Sequence, residues 1–243
     1  MRSLIVKKVY PDEIDEPNLT QLIQEFMHTQ QYPESISHDI PDLPPFYKKI
    51  TVHMSVIASF FAPSDLSGIG GMKHEHIHAI NRWRNGPGCF DTLFVNTALD
   101  DMDDDSSAHG IQGLEVACAH LVFSFTLDGV KFPCTLVHWF SQTKNMLSDI
   151  TGMYVVEPHY LPNSQPFTAI IHLDTVFRAV HLLPVFSNHP LLLKHQQHEQ
   201  TLDSFSQFYV NKYIDHHAFK VIFNQSIISS TLFSPLLSLN ANI

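Results

Sequence analysis

The stretch LEVACAHLVFSFTLDGVKFPCTLVHWF, from Leu114 to Phe140, carries the strongest structural signal in the chain. Two apolar runs rich in β-forming residues flank Asp128-Gly129, and Asp-Gly is typical of the two central positions of a type I′ turn. We therefore predict a β-hairpin around which the rest of the chain packs. Counting outward from the turn predicts these cross-strand pairs: Leu127 with Val130, Phe125 with Phe132, Phe123 with Cys134, Leu121 with Leu136, and Cys118 with Trp139.

One face of this hairpin is entirely apolar, so it needs further strands or a helix to cover it. A slip of one residue would expose its phenylalanines, and the register should therefore be firm. Pro133 has no N–H to donate to a neighbouring strand. We expect the second strand to have a free edge or a bulge at that position.

Composition limits the function classes. The chain has 243 residues, with 14 Lys and Arg against 24 Asp and Glu, so its formal net charge is −10. This balance disfavours unaided binding to a nucleic-acid backbone, which requires basic side chains, although a local basic patch stays open. Three cysteines without metal-type spacing indicate a reduced, intracellular protein. No apolar run reaches the roughly 18 residues that a membrane span needs.

Alternation and turn residues predict several short strands on both sides of the hairpin, and Met72–Arg84 is either a helix or an irregular crossing. Three further elements are predicted near the termini: a helix with Leu19, Leu22, Ile23, Phe26 and Met27 on one face, a C-terminal helix over Leu202–Tyr213, and a strand over Ala218–Phe223.

Six or so short strands separated by turns predict an α+β, mostly-β fold, namely a small SH3-like or BAH-like barrel or a sandwich. The C-terminal helix would flank it. We divide the chain into an N-terminal extension with one short helix (1–49), a mostly-β domain (50–223) and an irregular tail (224–243).

The sharpest chemical motif is His74-Glu75-His76-Ile77-His78, which fits H-E-x-x-H. On a helix, His74 and His78 would share a face and hold zinc, with Glu75 as general base. The flanking Gly70-Gly71 and Lys73 do not resemble a buried metalloprotease helix, and a solvated His-rich segment is the favoured alternative.

Other candidate sites are weaker. Asp100, Asp101 and Asp103–Asp105 form an acidic run without the glycine and closing Glu of a calcium loop, so a solvated loop is favoured. Asp215-His216-His217 is typical of a solvated helix end. A nucleophile set of Cys134, His138 and Asp174 is disfavoured because the hairpin buries Cys134.

The single basic-aromatic cluster comprises Lys73, Arg82, Trp83 and Arg84, which we predict as an interaction surface. In one interpretation the arginines contact phosphate while Trp83 stacks on a base. In the favoured alternative Trp83 lies in the core and the arginines surround it. We predict no catalytic residue, no cofactor and no metal.

The chain resembles the C-terminal region of proteins encoded by basidiomycete Plavaka and Kyakuja-Dileera-Zisupton-type DNA transposons, from about Asn18 to Phe223. The segments that carry the resemblance are Phe61–Met72, Trp83-Arg84, Phe94–Asn96, Pro133-Cys134, Leu136–Phe140, Thr151–Val156, Ile171–Asp174, Arg178, His181-Leu182, Pro184-Val185 and Tyr209–Phe219. Where this chain has His74, Glu75, His76 and His78, the family usually shows Arg and Glu, which weakens the zinc hypothesis.

The family's acidic transposase core lies upstream of this region. The resemblance therefore implies a non-enzymatic accessory or interaction module without catalytic carboxylates, with a protein or chromatin partner and a nuclear location. Nucleic-acid binding stays open, and no membrane partner is expected. Two alternatives remain, a zinc-dependent hydrolase acting through His74, Glu75 and His78 and a mobile-element remnant without activity.

Overall fold

The predicted hairpin is the centre of the fold. The computed structural model describes residues 7–16, 18–31, 45–62, 69–83, 86–97, 111, 113–186, 201–223 and 238–239. Strands β7 (Leu114–Leu127) and β8 (Val130–Leu147) pair antiparallel, and every predicted pair from Leu127–Val130 to Leu121–Leu136 is confirmed. Asp128 and Gly129 have φ values of 51° and 84°, as a type I′ turn requires.

Beyond Leu121 the predicted register is wrong by one residue. The pairing shifts between Ala119 and Leu121, so that Cys118 lies opposite His138 and not opposite Trp139. Two residues of β7 oppose one of β8 here, which defines a β-bulge with His120 as the extra residue. The bulge changes the direction of the strands in the half of the hairpin that lies away from the turn.

The apolar face of the hairpin is covered as predicted. Phe123 and Phe125 are buried in a core cluster with Leu19, Ile23 and Phe26 of helix α1 (Leu19–Gln31), which confirms the N-terminal helix. Strand β10 (Thr168–His172) pairs with β8 only from Cys134 to His138, and Pro133 therefore lies just beyond a paired edge, as its missing N–H predicts.

The sheet is larger than the six or so strands predicted. One antiparallel sheet of ten strands has the order β1-β2-β7-β8-β9-β13-β12, with β6 beside β7, β11 beside β6 and β10 beside β8. The remaining strands of this sheet are β1 (Lys7–Val9), β2 (Ile50–His53), β6 (Thr92–Asn96), β9 (Tyr154–Pro158), β11 (Val176–Val180), β12 (Leu182–Pro184) and β13 (Phe208–Val210).

A smaller sheet has the order β14-β3-β4-β5, formed by β3 (Ser55–Phe61), β4 (Met72–Ile80), β5 (Cys89–Phe90) and β14 (Ser238–Leu239). The large sheet curls into a half-barrel, and the prediction of an α+β, mostly-β fold is confirmed. Val56, Ile77, Val122 and Val176 share one buried cluster, so the core is continuous between the two sheets.

The predicted secondary structure near the C-terminus is exchanged. Helix α2 covers only Thr201–Ser204, and β13 occupies the second half of the predicted helix because its backbone pairs with β9 and β12. The predicted strand is instead helix α3 (His216–Phe223), which buries Ala218, Val221 and Ile222 at helical spacing. A flanking C-terminal helix is therefore present, at a different position.

Most of the predicted tail and the acidic run Asp100–Asp105 lie outside the described residues. No helix in the described ranges is long and apolar enough to cross a membrane.

Candidate functional site

The H-E-x-x-H motif lies on strand β4 and not on a helix, so the geometry behind the zinc-hydrolase hypothesis is wrong. Four residues along a strand span roughly 13 Å, and alternate side chains point to opposite faces. His74 and His78 therefore lie too far apart to hold one ion, and Glu75 belongs to the other face. The hydroxyl of Ser59 lies 2.7 Å from Nδ1 of His74.

The inner face of β4 contributes to a buried ionic cluster centred on Arg178 of β11. Arg178 is 2% exposed. Its Nη2 donates to Oε1 of Glu75 at 2.6 Å and to Oδ2 of Asp215 at 2.7 Å, and its Nη1 donates to Oδ1 of Asp215 at 3.1 Å. Lys73 pairs with Asp215 at 3.5 Å. Two cations thus face two carboxylates, which balances the charge.

Backbone groups complete this cluster. The N–H of Ala179 donates to Oε2 of Glu75 at 3.3 Å, and the N–H of Ala218 in α3 donates to Oδ1 of Asp215 at 2.7 Å. Asp215 therefore caps α3 while it holds Arg178, and the predicted solvated helix end is wrong. The guanidinium carbon of Arg178 also lies 4.9 Å from the ring centroid of Phe60.

The pKa values of the two carboxylates in the cluster are shifted in opposite directions. Burial opposes ionisation of Asp215, but its hydrogen bonds from Arg178 and Ala218 outweigh that effect and hold its pKa well below the usual range. Burial raises the pKa of Glu75, and the attraction of Arg178 offsets this only in part because the charge of Asp215 is close.

His217 completes the cluster as a neutral side chain. Its burial, reinforced by the charge of Arg178, lowers its pKa to about 4. Arg178 has only donors, so its contact from Nη1 to Nδ1 of His217 at 3.0 Å requires a lone pair on Nδ1. The proton therefore sits on Nε2, which is buried and has no hydrogen-bond partner among the described residues. The ring of His217 stacks on that of Phe60, with 4.7 Å between the ring centroids.

The Arg178 cluster joins β4, β11 and α3 and neutralises its own charges, which is the arrangement of a structural centre. This cluster was not predicted from the sequence. A single Arg inside the apolar run Val176–Val180 was the available signal, because an arginine at a core-facing strand position needs a partner.

The outer face of β4 forms a second group with the hairpin partner β5. His78 lies close to Cys89 and to Asp91, and the ligand atoms of the three residues are all within 4.8 Å of one another. Oδ2 of Asp91 lies 2.9 Å from Nδ1 of His78 and accepts the backbone N–H of His78 at 2.7 Å. Sγ of Cys89 lies 3.9 Å from Oδ1 of Asp91.

The predicted basic-aromatic cluster is divided between two places. Lys73 is in the ionic cluster on the inner face of β4, whereas the ring of Trp83 packs at 4.5 Å from the ring of His78 on the outer face. Trp83 is half-buried and Arg82 is exposed, while Arg84 lies outside the described residues. An interaction surface at Arg82 and Trp83 stays a prediction, and Lys73 is not beside them.

An aromatic groove lies at the end of the hairpin that is away from the Asp128-Gly129 turn. It has a volume of about 340 Å³, and Trp139, His159 and Phe167 are among its lining residues. Backbone hydrogen bonds fix these three side by side: Trp139 N to Phe167 O at 3.0 Å, His159 N to Trp139 O at 2.9 Å, and Phe167 N to His159 O at 2.9 Å. The rings of His159 and Phe167 are 4.7 Å apart.

The charged group in the lining of this groove is the carboxylate of Glu115, and no Lys or Arg is among its described lining residues. A neighbouring cavity of about 650 Å³ shares Ser141 and His159 with it and adds Tyr160, Phe205 and Glu157. Together they form an aromatic surface with acidic groups at its walls.

Comparisons with known proteins returned no match to a family model, to a curated protein or to a solved structure.

Proposed function

We propose that this chain is a non-enzymatic interaction module whose aromatic groove receives a protein segment carrying apolar and basic side chains. The observation that carries the proposal is the groove of Trp139, His159 and Phe167, which is pre-formed by backbone hydrogen bonds and carries the carboxylate of Glu115. Concave aromatic surfaces with few, well-placed polar groups are typical of binding sites.

Charge favours a basic protein segment over a nucleic acid. Phosphates are bound by Lys and Arg, and the described lining of the groove has neither. Lys73, which the sequence pattern grouped with Arg82, is paired with Asp215. Within a chain of net charge −10, an acidic aromatic groove attracts cationic side chains, which also bind favourably over aromatic faces.

The biological setting in this proposal follows the sequence resemblance. A module of a transposon-encoded protein would act in the nucleus through a protein or chromatin partner. Basic, extended segments are common in chromatin proteins, and they match the chemistry of the groove.

A library of random peptides displayed on phage tests the proposal with the full chain as bait. We expect enrichment of peptides that combine Lys or Arg with aromatic or aliphatic residues. Phe167→Ser should abolish their binding because Phe167 is 37% exposed at the groove, and Glu115→Gln should weaken the basic peptides selectively. Phe61→Ser is the matched control, since Phe61 is 51% exposed on the smaller sheet.

Enrichment that survives Phe167→Ser, or the absence of any enriched peptide, would contradict the proposal that the groove is the binding site. Gel shifts with duplex and single-stranded DNA form the second arm. Strong DNA binding that weakens steeply with salt would indicate that the ligand is a nucleic acid and not a protein segment.

A further inference from the structure

We propose that His78, Cys89 and Asp91 form a three-residue binding site for Zn²⁺. This site shares only His78 with the H-E-x-x-H motif, and it uses residues that the strand geometry brings together from β4, β5 and the position after β5. The proposal is independent of the aromatic groove.

The three side chains already converge. Their ligand atoms lie within 4.8 Å of one another, with 2.9 Å from Nδ1 of His78 to Oδ2 of Asp91 and 3.9 Å from Sγ of Cys89 to Oδ1 of Asp91. Ligands about 2.0 to 2.3 Å from a tetrahedral zinc are roughly 3.3 to 3.6 Å from one another. Small rotations of the side chains therefore suffice to close the site around an ion.

The backbone that carries these ligands is fixed. Asp91 donates its N–H to the carbonyl of His78 at 2.9 Å, and its own carbonyl accepts the N–H of Ala119 in β7 at 2.9 Å. Asp91 is thus tied to both sheets. The chain reaches Cys89 through Gly88, where an added Cβ would lie 2.7 Å from a ring carbon of Phe90 and 3.0 Å from the carbonyl oxygen of Ile80.

The donor set selects the ion. A thiolate, an imidazole and a carboxylate suit a borderline-soft cation such as Zn²⁺, whereas Mg²⁺ and Ca²⁺ prefer oxygen ligands alone. The side chains of His78 and Asp91 are 17% and 32% exposed, so solvent reaches the site. Three protein ligands leave a fourth position for water.

Titration of the purified, metal-free full chain with Zn²⁺, in competition with a chromophoric chelator, tests the site. We expect one ion per chain, and Co²⁺ in its place should give a thiolate-to-cobalt charge-transfer absorption. Cys89→Ser and His78→Gln should weaken binding by at least the roughly 10- to 100-fold that changes around a metal site produce. The double variant His74→Gln/His76→Gln, which removes two exposed histidines from the same strand face, should bind as the wild type does.

Thermal melting without metal establishes that each variant is folded, and Cys89→Ala serves as a second removal of the thiol. Zn²⁺ should raise the melting temperature of the wild type more than that of either Cys89 variant. Absence of stoichiometric binding, a cobalt spectrum without a thiolate band, or binding that depends on His74 and His76 and not on Cys89 would each overturn the proposal.

Discussion

Nη2 of Arg178 lies 2.6 Å from Oε1 of Glu75, although 103 positions separate the two residues along the chain. This contact joins β11 of the large sheet to β4 of the smaller one inside the core. Removal of one partner from such a pair leaves an uncompensated buried charge, which costs more than the intact pair contributes.

Replacement of Arg178 by Met should therefore be strongly destabilising. We expect the free energy of unfolding to fall by about 3 to 5 kcal/mol, because Glu75 and Asp215 lose their main counter-charge. Urea denaturation of the full chain measures this loss. Lys73→Met is the matched control and should cost about 0 to 1 kcal/mol, since its pair with Asp215 is longer and more exposed. Equal losses in both variants would show that Arg178 is not the centre of the cluster.

The turn of the central hairpin offers a separate test. Gly129 has a φ of 84°, and a Cβ at this position would meet no atom within 4 Å. Gly129→Ala should therefore lose about 1 to 2 kcal/mol of unfolding free energy through backbone strain alone. Gly129→Asn should lose less, because Asn tolerates positive φ better than Ala does. Urea denaturation of both variants measures the difference, and a larger loss for Asn would contradict this explanation.

The parts of the fold that were predictable are those encoded locally. Asp128-Gly129 together with alternating side chains determined the hairpin register as far as Leu121. The bulge at His120 was not predictable, because both strands are apolar in this region. The side chains therefore form apolar pairs whether or not one extra residue shifts the register. A helix was predicted before Asn211 and a strand after it, and the structure has the reverse. Short apolar runs fit either element, and pairing with the edges of β9 and β12 makes Phe208–Val210 a strand.

The site residues were predictable only in part. The His-rich run was noticed, but it was expected in a helix or an irregular crossing and not in a strand, which hid the fact that Glu75 and His78 point in opposite directions. Glu75 meets Arg178 and Asp215 through contacts that span long stretches of chain, which no local pattern encodes. Cys89 and Asp91 were overlooked because their spacing matches no standard zinc motif, and β-pairing alone brings them to His78.

Packing beneath α1 gives a third prediction. Phe123 is fully buried, and its ring lies near that of Phe125. Phe123→Ala should lower the free energy of unfolding by about 3 to 5 kcal/mol, through lost burial and the cavity left behind. Val130→Ala, at a position that is 56% exposed in the same hairpin, should change it by less than about 0.5 kcal/mol. Thermal or urea unfolding compares the two, and a small loss for Phe123→Ala would contradict the predicted core.

The last prediction concerns His217 and acid. Its pKa falls from an ordinary 6.5 to about 4 in the folded chain, so the unfolded chain binds more protons between these values. Stability should therefore decrease as the pH falls through this window, by about 2 to 3 kcal/mol from this residue. Burial also lowers the pKa values of His53 and His138, which act in the same direction.

His217→Asn removes the titrating group but retains a side-chain oxygen that can accept from Arg178. Urea denaturation at a series of pH values from 7 to 4 should show a shallower loss of stability in this variant than in the wild type. His76→Asn, which changes an exposed histidine on β4, should retain the wild-type slope. If His217→Asn and the wild type have the same slope, then His217 does not carry the acid sensitivity.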